Sequence, residues 1–129
     1  MSSFVSSATI FPKSSTQSVE VEGIKTDIIC STFSDYFFVV VTQIDKFGTI
    51  LRAESAEKAD GGAIYSVNTL LGRRDDPLLT IYARQLIERI SQFSKKPLVL
   101  SISLQEEGRG KDHFEAIVNS VLQNITLLP

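Results

Sequence analysis

Reactive side chains are scarce in this sequence. It holds one cysteine, one histidine, one methionine and no tryptophan. A single cysteine cannot close an internal disulfide, which argues against a secreted, disulfide-stapled fold. One Cys and one His cannot build a four-ligand structural zinc site. An excess of one charge is also lacking: 13 basic residues face 15 acidic ones, for a formal net charge of −2. A partner such as nucleic acid or an anionic membrane calls for a basic stripe, so neither is expected here. No apolar run approaches the roughly 20 residues that a membrane-spanning helix needs. No metal, cofactor or catalytic residue is expected. What is present is a chain of 129 residues, 43% hydrophobic, long enough for one domain with its own core.

Residues 1–18 are rich in Ser and Thr, with one Lys and no acid. Phe4, Val5, Ile10 and Phe11 show no period, and the stretch reads as a disordered tail. It lacks the Arg of an organelle transit peptide and the basic start and apolar stretch of a secretory signal. Residues 19–129 read as a single domain. Two short strands flank a turn near Glu22–Lys25. Tyr36-Phe37-Phe38-Val39-Val40-Val41 follows, the most β-prone segment of the chain. Asp45-Lys46-Phe47-Gly48 is read as a hairpin loop returning into a partner strand over residues 49–54. Residues 55–62 are polar, end in Gly61-Gly62, and are expected to form a long mobile loop. Residues 63–71 read as a fifth strand. Asp76 then suits an N-cap and Pro77 a first helical position, ahead of a stripe through Leu79, Tyr82, Ala83, Leu86, Ile90 and Phe93. Pro97 ends that helix. Leu98, Leu100, Ile102 and Leu104 alternate as a strand. Asp112 and Glu115 form a capping-box-like pair before a helix with Phe114, Ile117, Val118, Val121, Leu122 and Ile125 on one face. The order β-β-β-β-β-α-β-α predicts an α+β fold, a largely antiparallel sheet with two amphipathic helices.

The third strand constrains the architecture most. A half-exposed strand alternates apolar and polar residues, whereas this one is apolar on both faces. Phe37, Val39 and Val41 point one way; Tyr36, Phe38 and Val40 point the other. Two helices can cover one face of such a sheet, so the other face is expected to meet another subunit by sheet packing. Tyr36, Phe38, Val40 and Thr42, which mix apolar groups with hydroxyls, are the expected dimer-interface residues. Helices divided between the two faces are the alternative.

The remaining motifs have ordinary readings. His113 is expected in the first turn of the last helix, facing solvent, with no nucleophile arranged around it. Cys30, between apolar strand residues, is expected to be buried and inert. Gly72-Arg73-Arg74-Asp75-Asp76-Pro77 lacks the glycine spacing and Lys of a phosphate loop and reads as a helix start.

Cys30-Ser-Thr-Phe-Ser, the run Phe38-Val-Val-Val-Thr-Gln-Ile-Asp-Lys-Phe-Gly-Thr-Ile, and Leu70-Leu-Gly followed by acids, Pro77-Leu and a helix resemble the corresponding segments of the proteasome assembly chaperone 3 family. The likeness spans roughly residues 19–104 and is looser from Glu106 onward. It implies a non-enzymatic chaperone that pairs with proteasome assembly chaperone 4 and escorts α-type subunits into the α-ring of the 20S proteasome. It also implies a sheet with two helices that dimerises through sheet packing, without metal or nucleotide. A homodimer of the isolated chain and a cytoplasmic location extending to the nucleus accompany this reading. The polar segment carrying Glu54, Glu57, Lys58, Asp60, Gly61 and Gly62 is the expected contact for the α-type subunit. A general dimeric adaptor of trafficking or signalling type is the alternative function, and an enzyme with a small-molecule pocket comes last.

Overall fold

Six strands, two helices and a short 3₁₀ turn account for the regular structure in residues 13–44 and 48–128, which the computed structural model describes. The strands are β1 (Lys13–Val21), β2 (Ile24–Thr32), β3 (Phe37–Thr42), β4 (Thr49–Glu57), β5 (Ala63–Leu71) and β6 (Leu98–Ser103). The helices are α1 (Pro77–Ile90) and α2 (Lys111–Leu127), with the 3₁₀ turn at Glu106–Gly108. The strands form one sheet in the order β1-β2-β3-β6-β4-β5. Every neighbouring pair is antiparallel except β3 with β6, which is parallel. The fold is therefore α+β with a mixed, mostly antiparallel sheet, as expected.

Both helices lie on the same face. Phe37, Val39 and Val41 of β3 share a core with Leu98, Leu100 and Ile102 of β6, Leu79, Leu86 and Ile90 of α1, and Ile117, Val121 and Ile125 of α2. Each fully buried side chain of this kind contributes about 1.5–3 kcal/mol relative to exposure. Tyr82 of α1 meets Phe114 of α2 with ring centroids 4.6 Å apart, closing the helix layer.

Four expectations about the strands and loops are corrected. Residues 13–18 belong to β1 rather than to a tail; residues 1–12 lie outside the described residues. The reason is a polar attachment: Ser15 Oγ donates to Asn124 Oδ1 at 2.9 Å, and Gln17 Oε1 accepts from Ser120 Oγ at 3.1 Å and from Asn124 Nδ2. Hydropathy cannot register such a seam. Second, β3 and β4 are not a hairpin pair, because β6 lies between them. Gly48 marks the crossing: a Cβ there would strike the carbonyl oxygen of Ile102 and come within 2.7 Å of Ser103 Cβ. Its role is close approach, while Asp45, Lys46 and Phe47 of the expected loop lie outside the described residues. Third, residues 55–62 are not one long loop. β4 continues to Glu57, and a tight turn returns the chain to β5, with Lys58 N donating to Gly62 O at 2.8 Å and Gly61 at φ +92°. Fourth, the helix stripe overreaches at Phe93, which lies beyond α1 and is half exposed.

The β1–β2 turn falls where expected but is tighter, since Ile24 and Lys25 already belong to β2. Glu22 (φ +52°) and Gly23 (φ +80°) both take left-handed values, the requirement of a tight two-residue hairpin.

Candidate functional site

The sheet register defines the face opposite the helices. One row crosses five strands: Ile29 pairs with Val40, Val40 with Ser101, Ser101 with Ile50, and Ile50 with Leu71. The next row runs Ser31, Phe38, Val99, Arg52, Asn68. A third holds Asp27, Thr42 and Ser103. Among the described residues no helix packs on this face. Its two ends are open, with Ile29 37% and Leu71 64% exposed. Its middle is buried: Val40, Thr42, Ser101, Ser103 and Ser31 are all little exposed. Ser103 Oγ donates to Thr42 Oγ1 at 2.9 Å, whereas Ser101 Oγ is buried without a hydrogen-bond partner among the described residues.

Of the expected interface residues, the fold brings Phe38, Val40 and Thr42 together on this face. Tyr36 does not join them. It precedes β3 and stacks on Phe33, centroids 4.6 Å apart, in a turn where Phe33 N donates to Tyr36 O at 2.9 Å. Ile29, Ile50, Val99 and Leu71 were missed: Ile29 follows once β2 is paired with β3, whereas Val99, Ile50 and Leu71 reach the face only because β6 joins β3 to the β4–β5 pair.

The expected client-contact residues divide into two groups. Glu54 lies on the open side of β4, where its carboxylate takes Arg52 Nη2 at 3.1 Å. The others form the end of the β4–β5 hairpin. Glu57 Oε1 accepts from Lys95 Nζ at 3.1 Å, and Asp60 Oδ1 accepts from Gly62 N at 3.0 Å. Gly61 N donates to Lys58 O at 3.1 Å. Asp60, Gly61 and Gly62 thus build the turn, while Lys58 keeps its side chain exposed.

Three titratable side chains hold the helix layer rather than a reaction centre. Asp76 precedes α1 as expected, but its carboxylate makes no cap; it takes Arg109 Nη2 at 2.6 Å. That hydrogen bond holds the Asp76 carboxyl below the usual carboxylate range and raises Arg109. His113 is buried, not solvent-facing, and its Nε2 lies 3.0 Å from Val21 O, tying α2 to the β1–β2 turn. Asp112 and Glu115 do not form a capping box, since the cap position is Gly110. Cys30 is buried as expected, and burial pushes its thiol up to about 12. Among the described residues no group of three or more His, Cys, Asp or Glu could hold a metal, and no helix is long and apolar enough to cross a membrane.

Residues 39–124 match the family model described as proteasome assembly chaperone 3. The proteasome assembly chaperone 3 of Bos taurus is 35% identical over 97 residues, covering 74% of this chain and 78% of that protein. The Homo sapiens protein of the same description is 31% identical over 88 residues, covering 66% and 71%. Among solved structures, a chain from a crystal structure of a novel chaperone complex for yeast 20S proteasome assembly superposes with a TM-score of 0.65. It covers 89% of this chain and 98% of its own length at 13% identity, a likeness of fold. The matched segment holds β3, β4, β5 and β6, four of the five strands of the row from Ile29 to Leu71, and this chain belongs to the proteasome assembly chaperone 3 family.

Proposed function

We propose that this chain is a non-enzymatic assembly chaperone of the 20S proteasome that pairs with a proteasome assembly chaperone 4-like subunit and promotes α-ring formation in the cytoplasm and nucleus. The observation that carries the reading is the sheet face on which, among the described residues, no helix packs, with its row from Ile29 through Val40 and Ile50 to Leu71. Its dimensions suit a protein partner. The sheet has six strands. At a spacing of about 4.8 Å and lengths of about 20–30 Å, they give a face of roughly 600–850 Å², near the share one partner contributes to a standard interface. Phe38, Val40 and Thr42 lie at its centre. A second copy of the chain occupies the face when no other subunit is present. The hairpin end carrying Glu57, Lys58 and Asp60, with Glu54 on the adjoining strand, lies at the β4–β5 side of the sheet, and contact with an α-type subunit is assigned there.

Capture of the tagged protein from native lysate, followed by mass spectrometry, tests the reading. Recovery of α-type subunits together with a chaperone 4-like subunit is the expected result; recovery of neither overturns it. Ile29→Asp and Phe38→Ala, both on the open face, should weaken pairing with the purified subunit by about tenfold or more while leaving the fold intact. Unchanged pairing in both variants would remove the face from the interface.

A further inference from the structure

Among the described residues the sheet ends in two edge strands, β1 and β5, and they are built differently. β1 carries Lys13 and Glu20 among hydroxyl-bearing residues, and is fastened to α2 by Ser15 and Gln17. β5, at the other end, reads Ala63-Ile-Tyr-Ser-Val-Asn-Thr-Leu-Leu71: nine residues with no charge and no proline. Edge strands that remain unpaired are normally blunted by charge, proline or shortness. β5 has none of these, and among the described residues no strand lies beyond it.

One contact shows how its edge is occupied. Arg74 Nη2 donates to the carbonyl of Thr69 at 3.1 Å. That carbonyl therefore points outward, away from β4, and the two-residue repeat of a strand turns the backbone groups of Val67 and Tyr65 the same way. Arg74 also makes no ion pair with a carboxylate among the described residues. Arg73 lies 3.4 Å from Asp75, and Arg84 lies 3.7 Å from Glu88. Beside the edge, Leu70 sits at the register irregularity of β5 and is 53% exposed, and Ile81 on α1, the helix that packs on β5, is 52% exposed. An edge strand with no further strand beyond it among the described residues, an exposed Leu70 on that strand and a cation held by its Thr69 carbonyl thus meet on β5, with exposed Ile81 on the helix packed against it.

We propose that the outer edge of β5 is a docking site for an extended, acid-bearing segment of the client, added to the sheet as a seventh strand. This rests on the chaperone reading above, and it extends the α-subunit contact from the β4–β5 turn along the neighbouring strand. Backbone pairing supplies affinity in strand addition of this kind. An incoming N–H takes the Thr69 carbonyl, and the displaced Arg74 guanidinium turns to a carboxylate of the segment, where its fork geometry favours two parallel hydrogen bonds. Leu70 and Ile81 receive apolar side chains of the same segment. A second copy of the chain fits less well, because its own β5 brings no carboxylate to Arg74.

The test mixes the purified full chain with each recombinant α-type subunit in turn and follows amide hydrogen exchange by mass spectrometry. Exchange at residues 65–69 should slow by about tenfold or more with the subunit that binds. Arg74→Glu, and separately Leu70→Asp with Ile81→Asp, should weaken that binding by about tenfold or more while pairing with the chaperone 4-like subunit is unchanged. These side chains are exposed, and the wild-type exchange measurement stands without the variants. Binding with unchanged exchange across β5, or with full affinity in the variants, overturns the edge assignment but leaves the chaperone reading intact. Protection of β5 that rises with protein concentration in the absence of any subunit assigns the edge to a second copy and also overturns it. Failure of every α-type subunit to bind the wild-type chain overturns both.

Discussion

The Asp76–Arg109 pair offers a measure of what keeps both helices on one side of the sheet. Asp76 stands immediately before α1, and Arg109 lies between the 3₁₀ turn and α2. Their 2.6 Å contact joins the starts of the two helices. The Asp76 side chain is 7% exposed and that of Arg109 28%. Removing one member of a buried, hydrogen-bonded pair costs about 3–5 kcal/mol, and the exposure of Arg109 places this pair at about 3 kcal/mol. Asp76→Ala should therefore lower the urea midpoint by about 2 M, for a slope near 1.5 kcal/mol per molar. Arg109→Ala should cost a similar amount, and the double variant much less than the sum. The pH dependence has a definite sign. Arg109 depresses the folded-state carboxyl, so the contribution is fully present above the unfolded value, about 3.9, and is lost as pH falls through the lower folded value. The stability difference between the wild type and Asp76→Ala should hold from pH 7 to pH 5 and shrink below pH 4. Additive single-variant losses, or a difference that stays constant down to pH 2.5, would refute the assignment.

Two further outcomes are expected. Gly48→Ala should cost about 2–3 kcal/mol in urea unfolding, since the added Cβ meets backbone of Ile102 rather than a side chain that could turn aside; a loss under 0.5 kcal/mol would mean that the β3-to-β4 crossing does not press on β6. The Cys30 thiol, raised by burial, should resist Ellman's reagent at pH 8 in the native protein and react completely in 6 M guanidinium, whereas rapid native labelling would show that the core between β2 and α2 opens readily.

Much of the fold is legible from local pattern. β5 begins and ends where the polar-to-apolar changes place it. The apolar face of α2 follows its spacing, and the β1–β2 turn follows from Glu22 and Gly23. The two-faced apolar run of β3 sits in a sheet on one side of which both described helices pack. The misreadings share one cause: contacts between residues far apart in sequence. β6 enters between β3 and β4 because Leu98, Leu100 and Ile102 join the core beside Val39 and Val41, and only tertiary packing can specify that order. β1 is polar because its partner Asn124 is polar. Asp76 was legible as a helix start but not as half of an ion pair, since Arg109 is 33 residues away. The interface was half legible for the same reason. Phe38, Val40 and Thr42 follow from strand parity, and Ile29 from pairing β2 with β3, whereas Val99, Ile50 and Leu71 require the entry of β6 between β3 and β4.

That strand order also determines how the open face can behave. Had β3 and β4 paired directly, the hydroxyls of Ser101 and Ser103 would not lie among Val40, Thr42 and Ile50. Inserting β6 places a seam of small polar side chains through the middle of the apolar row. An exposed all-aliphatic face of this size would favour self-association without selectivity. Here Val40, Ser101 and Ser103 in the middle are already buried, Phe38, Ile50 and Val99 are part-exposed, and more accessible apolar contacts lie at Ile29 at one end and Leu71 at the other. A partner must match both ends and the middle to exclude water from the whole face. Selectivity then comes from shape complementarity across five strands rather than from hydrophobicity alone. Such a face favours a subunit of matching shape over an unmatched one.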